Sequence, residues 1–210
     1  MRLPDGPLRL LCLGAHSDDI EIGCGGTVLK VLAEHPGSSV VYVCLSGTTE
    51  REAEARAAAA ELLADAAEAT LVFGGFRDGY FPYDGTQVKD FFEASLKDTR
   101  PDVVFTHARH DRHQDHRLVS DLTWNTFRDH LVLEYEIPKW DGDLGQPNVY
   151  VPLSEATAAS KVAMLMRHFG TQRSKRWFTP ATFDGLMRLR GIEAGVGRAE
   201  AFTGRKIVCR

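Results

Sequence analysis

Apolar residues, many of them β-branched, run together in five short stretches at 8–14, 40–46, 69–75, 102–107 and 131–137. Runs of that length and composition predict strands. Between them the spacing changes to a helical period. A first helix opens at Gly25-Gly26-Thr27 and carries Val28, Leu29, Val31 and Leu32. A second runs from Thr49, spaced with Glu52 as a capping box, through an alanine-rich segment ending near Ala67. A third starts at Thr86 and puts Val88, Phe91, Phe92 and Leu96 on one face; a fourth follows His116 with Leu118, Leu122 and Trp124. The strands are continuous apolar runs rather than alternating ones, so both of their faces should be covered. That predicts an α/β chain with a mostly parallel sheet flanked by helices, a Rossmann-like core over about residues 8–137.

The remaining third begins with a connection rich in proline, glycine and aspartate at 138–152. A helix over 154–169 follows, then another that opens at Thr179-Pro180, a cap residue followed by proline in the first turn, and ends near Gly191. A last apolar segment, 205–209, reads as a strand. With no long linker and no internal repeat, residues 1–210 are expected to form a single domain, 138–210 being a small extension on the substrate side.

Composition narrows the function classes. At 210 residues, 43% hydrophobic and 26% charged, the chain can bury a core without disulfide or metal staples. No apolar run approaches the ~18 residues of a membrane span, and Met1-Arg2-Leu3-Pro4-Asp5-Gly6 lacks the regions of a signal peptide, so a cytosolic chain without membrane contact is expected. Twenty-five basic against 29 acidic residues give a net charge of -4, which argues against nucleic acid as a partner and for a small polar ligand. The oligomeric state is open, a homo-oligomer included. Cys12, Cys24, Cys44 and Cys209 form no CxxC pair, and three lie in or beside apolar runs, as buried reduced thiols do.

The chemistry concentrates at two places. After the first strand comes Gly14-Ala15-His16-Ser17-Asp18-Asp19-Ile20-Glu21, an imidazole and three carboxylates within six residues. A dinucleotide fingerprint would need glycines there, and acids repel phosphate, so a nucleotide-using oxidoreductase or transferase is a poor reading. After the fourth strand, His107-Ala108-Arg109-His110-Asp111-Arg112-His113-Gln114-Asp115-His116-Arg117 holds half of the chain's eight histidines. His107 and His110 read equally well as members of a solvated loop. In a doubly wound sheet the strand order reverses between strands one and four, and ligands bind beyond their carboxyl ends. A histidine and an aspartate from the first loop with a histidine from the second would give three N/O ligands with room for water, the pattern of a catalytic zinc site. Without clustered cysteines, zinc or another borderline divalent metal is the expected occupant.

These residues resemble a known family. His16-Ser17-Asp18-Asp19 with Glu21, then Gly25-Gly26-Thr27, is similar to the AHPDDxE opening motif of the PIG-L or LmbE-like N-acetylglucosaminyl deacetylases. His113-Gln114-Asp115-His116-Arg117 resembles their HxDHR motif, Arg51 and Glu54 their RxxE segment, and Asp78-Gly79 the acidic turn after the third strand. The resemblance covers about residues 8–120 and fades afterwards. Ser17 departs from the family's proline, which removes a stiffening residue but no ligand.

The resemblance implies metal ligands at His16, Asp19 and His116, a general base at Asp18, and at His113 the histidine that assists the carbonyl oxygen. Hydrolysis of an N-acetyl group on an N-acetylglucosamine unit of a small glycoside, with Zn2+, is the implied activity. Such an amide needs an activated water, help for the oxyanion and a proton for the leaving amine. Asp115 reads either as a carboxylate that orients a histidine or as an exposed loop acid. Glu21 reads as a hydrogen-bond acceptor behind the ligands or as a first-turn acid favoured by the helix dipole. Arg51 and Asp78 read as partners of sugar hydroxyls or as a surface ion pair. Tyr135, Trp140 and Trp177 are expected to pack in the core rather than stack on a sugar. The rival functions are a deacylase of another small amide and a metal-bearing sugar-binding or regulatory domain without turnover, the second of which would have no need of Asp18 beside its ligands.

Overall fold

The computed structural model describes residues 5–207. The five expected strands are β1 (Arg9–Gly14), β2 (Ser39–Ser46), β3 (Glu68–Phe76), β4 (Val103–His107) and β5 (Leu131–Tyr135). They pair in parallel, and the whole seven-stranded sheet runs β3-β2-β1-β4-β5-β7-β6, where β6 is Val149–Leu153 and β7 is Arg198–Gly204. β7 lies antiparallel to both β5 and β6. The crossovers α1 (Asp19–Glu34) and α2 (Thr49–Leu62) pack with α5 (Glu155–His168), and α5 packs in turn with α6 (Pro180–Glu193). On the opposite face α3 (Gly85–Ser95) packs with α4 (Gln114–Thr126).

Strand residues alternate between these faces. Leu10, Cys12, Val40, Tyr42 and Phe105 enter one buried cluster, whereas Leu11, Leu13, Val43, Leu45 and Val104 enter the other. Cover on both faces is the reason the strand sequences are apolar throughout.

Several boundaries differ from the sequence expectation. α1 begins at Asp19, six residues before Gly25, so the acidic cluster is a helix start rather than a loop. Its glycines are packing residues: a Cβ at Gly26 would lie 2.6 Å from Leu153 Cδ1, and one at Gly23 would run into the Tyr135 ring. α2 is capped by Thr48, whose hydroxyl accepts from Arg51 N at 3.3 Å, so the Thr49–Glu52 capping box does not form. That helix stops at Leu62 because the chain must turn back for Glu68 to pair with Ser39, and Ala67 N donates to Ser38 O at 2.8 Å on the way. α4 starts at Gln114, ahead of His116, with His113 as its N-cap.

The C-terminal third departs most. The connection 138–152 contains β6, and the last strand is β7 at Arg198–Gly204 rather than 205–209; Cys209 lies outside the described residues. β7 reads RAEAFTG, whose alanines and buried Glu200 hide a strand held by neighbours on both sides. Glu200 accepts from the N–H groups of Gly26 and Thr27 within α1 and pairs with buried Lys161 at 2.6 Å, while Lys161 also donates to Ile22 O.

Candidate active site

β1 and β4 are adjacent, and the loops leaving their carboxyl ends enter α1 and α4. The reversal of strand order at this point leaves a crevice above the sheet. His16, Asp18 and Asp19 come from the first loop and helix start, and His113 and His116 from the second. Atoms of three residues converge: His16 Nδ1 lies 3.1 Å from His116 Nε2 and 3.3 Å from Asp19 Oδ2, and His116 Nε2 lies 3.5 Å from Asp19 Oδ1.

The outer ring nitrogens explain the inner ones. His16 Nε2 is 3.1 Å from both Asp115 Oδ2 and Asp78 Oδ1, and His116 Nδ1 is 2.9 Å from Asp111 Oδ2. Carboxylates only accept, so each outer nitrogen carries a proton. His116, held neutral, presents the Nε2 lone pair inward, whereas at His16 burial is outweighed by Asp19, Asp115 and Asp78, which raise it well above the usual range and put a proton on Nδ1 as well, facing Asp19 and His116. A divalent cation can take the place of that proton between the His16 and His116 nitrogens and the Asp19 carboxylate. His16, Asp19 and His116 therefore fit a borderline divalent metal. His16 with His113 and His116, and Asp19 with His107 and His116, are further groupings able to hold one.

The carboxylates behind the histidines are themselves held. Asp115 is buried and accepts from Gly79 N at 2.6 Å and Phe81 N at 3.1 Å, so the exposed-acid reading does not hold. Asp111, which the sequence reading did not single out, is buried, accepts from His113 N at 2.8 Å and pairs with Lys139 at 3.0 Å. Its signal was its place two residues before His113. His107 does not belong to a solvated loop: it is fully buried, its Nε2 is 3.0 Å from Ala15 N and 3.3 Å from Asp19 Oδ2, and its ring stacks on His116 at 3.9 Å.

Electrostatics separates the groups. Burial opposes ionisation of Asp19, but His116, His107 and His16 outweigh it and hold its carboxyl well below the usual range. Burial and the neighbouring Asp19 raise Asp18, against the pull of Arg51. Burial, then His107, pushes His116 down to about 3. His113 is lowered by burial and by His16. Its Nδ1 accepts from Asp115 N at 3.3 Å, so a neutral His113 carries its proton on Nε2.

Arg51 bridges the floor, donating to Asp18 Oδ1 at 3.2 Å and Asp78 Oδ2 at 2.8 Å. Glu54, one turn along α2, accepts from Thr171 N and Oγ1 at 2.8 and 2.6 Å. Glu21 stands apart from the convergent atoms: it is buried, its carboxyl is pushed up to about 8 by burial, and it accepts from Tyr42 OH at 3.1 Å.

The floor opens into a cleft with about 170 Å³ of accessible space. Its wall includes Lys139, Trp140, Lys175 and Trp177. Tyr135 packs in the core as expected and donates to Leu13 O at 2.6 Å. Trp140 does not: it is 68% exposed because 138–152 folds over the carboxyl ends of the strands, whereas Trp177, half-buried beside the cleft, packs against the buried cluster through Phe178.

Residues 11–127 match the family model described as PIG-L, GlcNAc-PI de-N-acetylase. The chain belongs to the PIG-L family. The matched region runs from β1 through α4 and so contains every convergent residue described above. Among solved structures, a conserved protein from Thermus thermophilus is similar at 26% identity, 97% coverage of each chain and a TM-score of 0.75. An N,N′-diacetylchitobiose deacetylase from Pyrococcus horikoshii is similar at 22% identity, with 92% of this chain and 82% of that one covered and a TM-score of 0.72. The 4-carboxy-2-hydroxymuconate hydratase from Pseudomonas putida shares 17% identity, with 97% and 98% covered and a TM-score of 0.76. One fold thus serves a deacetylase and a hydratase, and the reaction must be argued from the site. Among the described residues, no helix is long and apolar enough to cross a membrane.

Proposed function

We propose that this PIG-L family member is a metal-dependent hydrolase that removes the N-acetyl group from an N-acetylglucosamine unit of a small glycoside, with zinc at His16, Asp19 and His116. The observation that carries the reading is Asp18. It lines the cleft beside the convergent atoms, is buried, and is fixed by Arg51, an arrangement that binding alone does not require.

A bound zinc would supply Lewis acidity, polarising the acetyl carbonyl and lowering the pKa of water toward ~7. Asp18 takes the proton of the attacking water as the new C–O bond forms. It returns that proton to the amine nitrogen as the C–N bond breaks, releasing acetate and the free amino sugar. The Nε2–H of His113 donates to the oxygen that gains negative charge in between. Arg51 holds Asp18 in place and, with Asp78, offers polar partners at the cleft floor.

Acetate release from a panel of N-acetylglucosaminides by zinc-loaded protein tests this. Wild type should turn over at least one, and Asp18→Asn should lose about 10²–10⁴-fold while keeping its metal. No acetate from any N-acetyl sugar would overturn the reading in favour of a metal-bearing sugar-binding domain. A near-normal rate in Asp18→Asn would move the base elsewhere.

A further inference from the structure

β1 and β4 stop pairing before either strand ends. Their ladder runs from Leu10 opposite Val103 to Cys12 opposite Phe105, whereas β1 continues beside β2 to Gly14 and β4 beside β5 to His107. Two residues further in the same register Gly14 would face His107, and the His107 backbone would bond Leu13 O and Ala15 N, as a parallel ladder does. Side chains take those two groups instead. The Tyr135 hydroxyl donates to Leu13 O at 2.6 Å, and Ala15 N donates to His107 Nε2 at 3.0 Å. The strands part to open the crevice, yet the segment of β1 that leads to His16 stays tied across the gap.

His107 supports each of the convergent residues. Ala15, whose N–H it accepts, precedes His16, and Ala15 O is fixed from the β2 side by Ser46, through its N at 2.9 Å and its Oγ at 2.8 Å. The next amide, His16 N, donates to Asp19 Oδ2 at 2.6 Å. That oxygen lies 3.3 Å from His107 Nε2 because the two acceptors serve successive N–H groups. The flat face of the His107 ring backs His116, with 3.9 Å between centroids and the planes 18° apart. Since Nε2 accepts, the ring carries its proton on Nδ1, and that buried atom has no partner. An unmatched buried N–H destabilises, so packing alone would favour an apolar ring at this position.

We infer that His107 is a positioning residue for the metal centre: its Nε2 lone pair holds the Ala15 amide, and with it His16, while its ring backs His116. It does not line the cleft and acts only through the residues that do. This rests on the metal assignment to His16, Asp19 and His116 above and adds the side chain that keeps those residues in register.

The test reads metal binding rather than turnover. Full-length protein freed of metal is titrated with zinc against a chromophoric chelator, and the cobalt-loaded form is read by its visible absorption spectrum. His107→Gln can place an amide oxygen where Nε2 sits, so it should keep the wild-type cobalt spectrum and nearly the wild-type affinity. His107→Phe keeps a ring against His116 but leaves the Ala15 amide without an acceptor, and should bind zinc about 10–100-fold more weakly with an altered cobalt spectrum. Should that variant not fold, His107→Asn, too short to reach Ala15, takes its place in the comparison. Wild-type affinity and spectrum in folded His107→Phe, with only its thermal stability lowered, would make His107 purely structural and overturn the inference. His107→Gln as weak as His107→Phe also overturns it and makes His107 a ligand, in the grouping with Asp19 and His116. Wild type that binds no divalent ion overturns the metal assignment itself, whereas tight wild-type binding left unchanged in His107→Phe removes the positioning role alone.

Discussion

His16 Nδ1 and His116 Nε2 face each other at 3.1 Å while a carboxylate holds the outer nitrogen of each ring. One residue is near the end of β1 and the other in the first turn of α4, a hundred positions apart. Replacing either with Ala should strip the metal, and elemental analysis showing full occupancy in His116→Ala would sink the ligand assignment. Asp111, which holds His116 from behind, gives a finer test. Asp111→Asn should weaken metal affinity by about 10–100-fold, read by competition with a chromophoric chelator. Unchanged affinity would remove Asp111 from the arrangement.

The fold is expected to survive removal of the metal. Neither buried hydrophobic cluster includes a histidine or an acidic residue. Chelation should therefore abolish acetate release while leaving far-ultraviolet circular dichroism and a cooperative thermal transition in place. Unfolding on removal of the metal would contradict this.

His113 should act on turnover rather than on occupancy. It caps α4 through Nδ1 and lines the cleft, so His113→Ala should keep its metal and lower kcat more than it changes KM. Loss of metal in this variant would instead make His113 a ligand, in the alternative grouping with His16 and His116.

Gly23 tests the packing beneath the site. A side chain there would collide with Tyr135, whose hydroxyl donates to Leu13 O and lies 3.3 Å from His107 Nε2. Gly23→Ala should cost about 1–3 kcal/mol in denaturant unfolding, since a tightly packed core resists an added methyl. A variant as stable as wild type would show that α1 can shift away from β5.

The pair Arg9–Asp102 sets an acid-side stability difference far from the cleft. Arg9 donates to Asp102 from its guanidinium at 2.8 and 3.1 Å and from its backbone N–H at 2.8 Å, which lowers the carboxyl below its usual range. A carboxylate lowered in the folded state stabilises above its unfolded pKa and loses that contribution as pH falls through the folded value. The gap in stability between wild type and Asp102→Asn should be present at about pH 6 and close below about pH 4. A gap constant down to pH 2.5 would overturn the assignment.

The sequence by itself determined the parallel strands, their crossover helices and the two chemical clusters at the ends of β1 and β4. Each of these is written in consecutive residues: apolar runs long enough for a strand, helical spacing between them, and polar groups where a strand stops. Local pattern also brought His16, Asp18, Asp19, His113 and His116 to one crevice, because adjacent strands carry their loops to the same edge. The tertiary structure decided the rest. The start of α1 at Asp19 was hidden because its glycines read as a break, whereas Tyr135 and Leu153 demand them for close packing. β7 was hidden because its strand character comes from β5 and β6 on either side rather than from its own side chains. The places of Asp111 behind His116 and of His107 against Asp19 depend on which atoms face each other across the sheet order. Hydrogen bonds and ion pairs reach only about 3–4 Å, and chain separation along the sequence carries no information about them until the strands have been ordered and the loops closed over them.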